Sequence, residues 1–182
     1  MSKAIGMIEF KTVASGITAT DIMVKTAEVK IIEAQTVCPG KYIAIVGGNL
    51  SGVNAAVDAA KQQYPEQLID SFVLGNPHED IFPAIYGTSA VEDVHALGIL
   101  ETYDASSIIV AADIAAKTAI VKLIELRIAK GMCGKSYLLL TGEISAVDAA
   151  IEKAKASIAE QGMYLDSSVI AHPDKQTVQS IL

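Results

Sequence analysis

With 182 residues, the chain is long enough for one ordinary domain or two small ones. Apolar residues make up 51% and charged residues 19%, with a mean hydropathy of +0.40 and a net charge of −7. The acidic balance and the lack of a basic run argue against a nucleic-acid binder, no apolar stretch reaches the roughly 18 residues of a membrane span, and so apolar a composition implies surface buried between chains.

The opening residues Met1-Ser2-Lys3-Ala4 run straight into an alternating apolar segment, 5–10, which predicts a strand. No signal-peptide core precedes it, so the expected compartment is the cytosol. There two cysteines act as thiols or metal ligands rather than as a disulfide. A small-residue helix is predicted over 18–26, with Asp21 and Lys25 four apart in the favourable order. Two β-rich runs follow, Val29–Val37 and 42–47, joined by the turn Cys38-Pro39-Gly40-Lys41, a hairpin signal. A second helix, 51–63, and a last strand, 68–74, complete the pattern before Asn76-Pro77. Residues 79–94 read as a link with a short helix at 81–85.

The whole pattern then returns. An offset of 92 pairs Gly6 with Gly98, Glu9 with Glu101, Asp21 with Asp113, Lys25 with Lys117 and Glu33 with Glu125. After an insertion the offset is 94, matching Gly40-Lys41 to Gly134-Lys135, Gly48 to Gly142 and Ser51 to Ser145. Finally an offset of 96 matches Asp70-Ser71 to Asp166-Ser167 and Pro77 to Pro173. The second copy therefore predicts a strand at 97–103, a helix at 108–118, a hairpin, a helix at 145–160 and a strand at Tyr164–Ile170. Ser145 and Asp148 have the spacing of a capping box. The order β-α-β-β-α-β, twice, predicts an α+β fold: two ferredoxin-like modules, 1–90 and 91–182, each a mainly antiparallel sheet with two helices on one face.

No phosphate-binding loop, zinc-protease helix or serine elbow is present. Gly47-Gly48 reads as a tight turn, and His78, His95 and His172 as turn or surface residues. Without a nucleophile–base pair the chain is not expected to be an enzyme. The copies differ where a site could lie: Cys38 precedes Gly40-Lys41, whereas Met132 and Cys133 precede Gly134-Lys135. Each cysteine taken alone is a small turn residue. In a trimer, three Cys38 thiolates near the axis could hold an iron–sulfur cluster.

The segments Ala4-Ile5-Gly6-Met7-Ile8-Glu9, Asp21-Ile22-Met23-Val24-Lys25-Thr26-Ala27, Gly40-Lys41, Gly48 and Asp70-Ser71-Phe72-Val73, with their second copies, resemble bacterial microcompartment shell proteins with tandem, non-permuted shell domains. The resemblance implies a homotrimer that looks like a hexamer and meets other shell proteins in a flat lattice. It implies a central pore lined by Val37, Cys38, Pro39, Gly40 and Lys41 and by Met132, Cys133, Gly134 and Lys135. Lys25 and Lys117 match the family's edge lysine, while Asn76-Pro77-His78 and His172-Pro173-Asp174 stand where the family often has Arg-Pro-His. The first turn is similar to that of the iron–sulfur trimer of propanediol-utilisation compartments. That likeness implies one air-sensitive [4Fe–4S] cluster per trimer, held by Cys38, for electron transfer or cluster transport, with an encapsulated redox enzyme as a partner. A pore-only tile, with Lys41 and Lys135 drawing anions, and a trimeric nucleotide-binding regulator are the alternatives.

Overall fold

The computed structural model describes residues 4–91 and 93–182. What was read from Met1-Ser2-Lys3, and Glu92 of the expected link, lie outside the described residues. The chain forms two compact units. One comprises the residues through Pro77 together with Lys130–Cys133, and the other His78–Ala129 with Gly134–Leu182.

The first unit contains β1 (Ala4–Phe10), α1 (Val13–Thr26), β2 (Val29–Val37), β3 (Lys41–Gly48), α2 (Leu50–Gln63) and β4 (Leu68–Gly75). Its sheet has the order β2-β3-β1-β4, and every ladder is antiparallel. The second unit holds α3 (Ile81–Tyr86), β5 (Ala96–Thr102), α4 (Ala105–Thr118), β6 (Val121–Arg127), β7 (Ser136–Gly142), α5 (Ile144–Ala159), β8 (Tyr164–Ile170) and α6 (Lys175–Ile181). Its order, β6-β7-β5-β8, repeats the first. The predicted α+β modules are thus both present.

Strand periodicity assigns the faces. In β1 and β3, Ala4, Ile8, Phe10, Tyr42, Ala44 and Val46 join Ala19 and Met23 of α1 and Val53, Ala56, Val57 and Ala60 of α2 in one core. The α2 positions recur at intervals of three and four, the stripe a helix must present to a sheet. On the opposite face, Ile5, Met7, Ile43 and Ile45 are fully buried as well.

Several boundaries differ from the sequence expectation for local reasons. Helix α1 starts at Val13, earlier than expected, and carries Gly16 inside it. A Cβ at Gly16 would lie 2.4 Å from the Cβ of Tyr42, so this glycine serves a close approach and not a loop. Helix α4 starts at Ala105 because Asp104 caps it, accepting from the Ser107 N–H at 3.1 Å. The Ser145–Asp148 capping box does not form: Glu143 is the N-cap of α5 without a side-chain bond, and Ser145 is already in the first turn. Helix α6 was not expected. Asp174 caps it by accepting from the Gln176 N–H at 2.8 Å, yet none of its residues is buried.

Gly6 and Gly98 set how near the second helix of each unit comes to its central strand. A Cβ on Gly6 would meet Val53 at 2.6 Å and Val57 at 2.7 Å; one on Gly98 would meet Leu140 at 2.7 Å and Val147 at 2.9 Å. Each of Gly6→Ala and Gly98→Ala should lower stability by about 1–3 kcal/mol through overpacking. The effect should be larger at Gly6, where both contacts are stiff β-branched side chains. Urea unfolding midpoints measure this, and unchanged midpoints would refute the close-packing account.

Candidate functional site

After a register shift between Ile31 and Glu33, the β2–β3 ladder runs unbroken to the pair Val37 and Lys41, so Cys38, Pro39 and Gly40 alone make the turn. The Gly40 N–H donates to the Val37 carbonyl at 3.0 Å, and Gly40 has φ +97°, a left-handed conformation natural to glycine. The Cys38–Pro39 peptide is cis. Val37 is buried, Cys38 is a free, half-buried thiol, and Pro39 and Gly40 are exposed. Lys41 turns back on the sheet, where its Nζ lies 3.0 Å from Oε1 of the buried Glu9. The ion pair keeps Glu9 from being a lone buried carboxylate. It also matches the Lys41 charge within the chain.

The second turn is built differently. The β6–β7 ladder ends at the pair Arg127 and Tyr137, leaving 128–135 as a longer connection. Ala129, Gly131, Cys133 and Gly134 all have positive φ within it. The Ala129 N–H donates to Oγ of the fully buried Ser136 at 3.0 Å, which fastens the loop to β7. Met132 is half-buried, Gly134 is buried, and Cys133 and Lys135 are exposed. Among the described residues of one chain, no group of three or more His, Cys, Asp or Glu side chains is placed to hold a metal ion.

Electrostatics also separate the copies. Burial holds the Glu33 carboxyl above its ordinary value, and Lys130, within the same compact unit, pulls it back down. Its counterpart Glu125 is met instead by Arg127, whose Nε donates at 2.8 Å, and by the Tyr137 hydroxyl, which donates at 2.7 Å. The guanidinium also lies 5.7 Å from the Tyr137 ring centroid. Burial, then the bond to Glu125, push the Tyr137 phenol up to about 12. Gln35 and Ile43 stand at these positions in the first copy. The cluster borders a cavity of about 380 Å³, whose walls include Ile99, Glu101, Leu139 and Ile181. Sequence reading missed this cluster because it looked for identities between copies, whereas the signal is a pair of differences.

Lys25 and Lys117 take the partners their spacing predicted. Lys25 meets Asp21 at 2.5 Å with both side chains exposed, and Lys117 meets Asp113 at 2.7 Å with the aspartate buried.

The BMC domain family matches residues 4–77 and 96–173. The bacterial microcompartment shell protein PduT of Citrobacter freundii is 38% identical over 173 residues, covering 95% of this chain and 94% of that protein. A carboxysome shell protein of Prochlorococcus marinus is 35% identical over 88 residues, 47% of this chain and 85% of its own. The crystal structure of a microcompartment protein from Desulfitobacterium hafniense superposes with a TM-score of 0.94 at 38% identity, covering 98% of this chain and 99% of that one. Among the described residues, no helix is long and apolar enough to cross a membrane.

A phenol raised above its ordinary value of 10.0 favours folding below that pH and loses the contribution as pH climbs toward about 12. An alkaline absorbance titration should therefore show one tyrosine ionising last. Tyr137→Phe should delete that step and Glu125→Gln should move it down. A last step that survives Tyr137→Phe would mean the cluster is not formed.

Proposed function

The chain belongs to the BMC domain family of microcompartment shell proteins, and from that premise we propose that three copies close into a pseudohexameric tile with both turns at a central pore. Membership makes the chain a structural component of a microcompartment shell in the bacterial cytoplasm, and it displaces the reading as a nucleotide-binding regulator. The tile itself has no turnover; its work is to join other shell proteins and to govern what crosses them.

In this reading Cys38 holds a [4Fe–4S] cluster at the pore. The supporting observation is the thiol itself: free, half-buried, and the first residue of a three-residue turn pinned by the Gly40–Val37 bond and the Lys41–Glu9 ion pair. One thiol cannot bind such a cluster, so the donor set fits only when a threefold axis presents it three times. Bound there, the cluster would supply one-electron chemistry at the shell, in electron exchange with an encapsulated redox enzyme or in cluster transport. The chain's own part is to hold the thiolate at a fixed place. Buried Val37 and the β2–β3 register fix the turn's root, and the Lys41 charge is spent on Glu9. Cys133 lies on the longer loop, held differently, and is not assigned as a ligand.

Ligation needs thiolates, so cluster retention should fall as the medium is acidified. Protein reconstituted without air should contain iron and sulfide and absorb in the visible, Cys38→Ser should lose both, and Cys133→Ser should keep them. A chromophore that persists in Cys38→Ser rules out this assignment, and the absence of iron from the anaerobic wild type favours the pore-only tile.

A further inference from the structure

The repeat supplies a template for its own missing contact. In the second unit, the segment that follows the first copy's last strand lies across α4 and β6. The His78 N–H donates to Asp113 Oδ1 at 2.8 Å, and Lys122 Nζ meets Asp80 Oδ1 at 2.7 Å. Ile81 and Ala84 of α3 are fully buried. Beneath this cover Ile109 and Leu123 are fully buried and Ala116 is 8% exposed.

The equivalent face of the first unit is bare. Ile17, Val24 and Ile31 stand where Ile109, Ala116 and Leu123 do, yet they are 54%, 38% and 48% exposed. Ile17, Asp21 and Val24 share one side of α1 by their spacing of four and three. Asp21 and Lys30, the counterparts of Asp113 and Lys122, are exposed too. The segment equivalent to the cover, 172–182, is likewise idle on its outer side. Pro173 repeats Pro77, α6 repeats α3, and Thr177 and Ser180 occupy the places of Ile81 and Ala84 but are exposed. Val178 and Ile181, one position further round, are the half-buried ones.

We propose that residues 172–182 of one copy cover the Ile17, Asp21, Val24, Lys30 and Ile31 face on the first unit of a second copy. The inference rests on the trimeric tile and names the joint that closes it. Each chain gives its tail to the next and receives one, a head-to-tail contact that closes into a ring. The occupant's chemistry suits the face: small Thr177 and Ser180 allow close approach to the exposed apolar side chains, and Gln176, in the place of Asp80, brings an amide oxygen to which Lys30 can donate. Polar replacements at the α6 positions fit a helix that must be soluble until it docks.

The test uses full-length chains in a Cys38→Ser, Cys133→Ser background, one carrying Ile31→Cys and the other Thr177→Cys, co-expressed and treated with a short bismaleimide. A covalent dimer should form in the mixture and in neither parent alone. Thr177→Arg, a change at an exposed site, should keep the far-UV circular dichroism of the folded chain and move the light-scattering mass from three chains to one. If the wild type scatters as three chains but the mixture does not cross-link, or Thr177→Arg stays trimeric, the tail assignment fails and the tile stands. Cross-linking within a single chain that carries both cysteines would overturn it as well. A wild type that scatters as one 19.1 kDa chain overturns the tile and the tail joint together.

Discussion

A four-stranded sheet that carries both of its helices on one side leaves a second apolar face, and covering that face is the constraint on which the rest of this structure depends. In β1 every position is buried, which an edge-on or half-solvated strand could not achieve. Its alternate residues serve two different interiors: Ala4, Ile8 and Phe10 pack under the helices, and Ile5 and Met7 face the other way at no exposure. The second unit keeps the same alternation but leaves Ile99 and Tyr137 half open beside a cavity. A chain with 51% apolar residues spends them on two-sided strands, not on a larger single core.

Much of this was legible in the sequence because the repeat carries its own controls. Gly6 and Gly98 recur with the aliphatic residues that press on them, Val53 and Val57 in one copy and Val147 and Ile151 in the other. Strands β2 and β8 begin and end where turn residues and proline said they would. The failures have equally local causes. Gly16 resembles a helix breaker until Tyr42 is seen against it, and Ser145 fits a cap pattern one residue after the true start of α5. Helix α6 has no apolar stripe because nothing in its own unit buries its outer side. The first turn was legible from Cys38-Pro39-Gly40-Lys41, while the pairing of Lys41 with Glu9 required knowing which residues the ladder brings together.

The two turns show how duplication changes chemistry without changing fold. Three residues close the first, and left-handed positions at Ala129, Gly131, Cys133 and Gly134 stretch the second. Two copies in one chain let the turns differ at the same structural position, Cys38-Pro39-Gly40 in one and a longer loop carrying Cys133 in the other. The shell role follows from membership of the family, and the inequality between turns is what the proposed cluster role draws on.

The supply of positive charge to Glu33 and Glu125 has a further consequence. Glu33 takes its cation from the segment Lys130–Cys133, whereas Glu125 carries Arg127 on its own strand. The two faces are therefore keyed unlike each other. A lysine-bearing loop set beside Glu125 would meet a guanidinium already in place, and a lysine-free turn set beside Glu33 would leave a partly buried carboxylate without its counter-charge, a mismatch that costs several kcal/mol when the burial is deep. Placing the cation on the loop in one case and on the strand in the other makes the two hairpins non-interchangeable: neither connection could serve the other copy's glutamate.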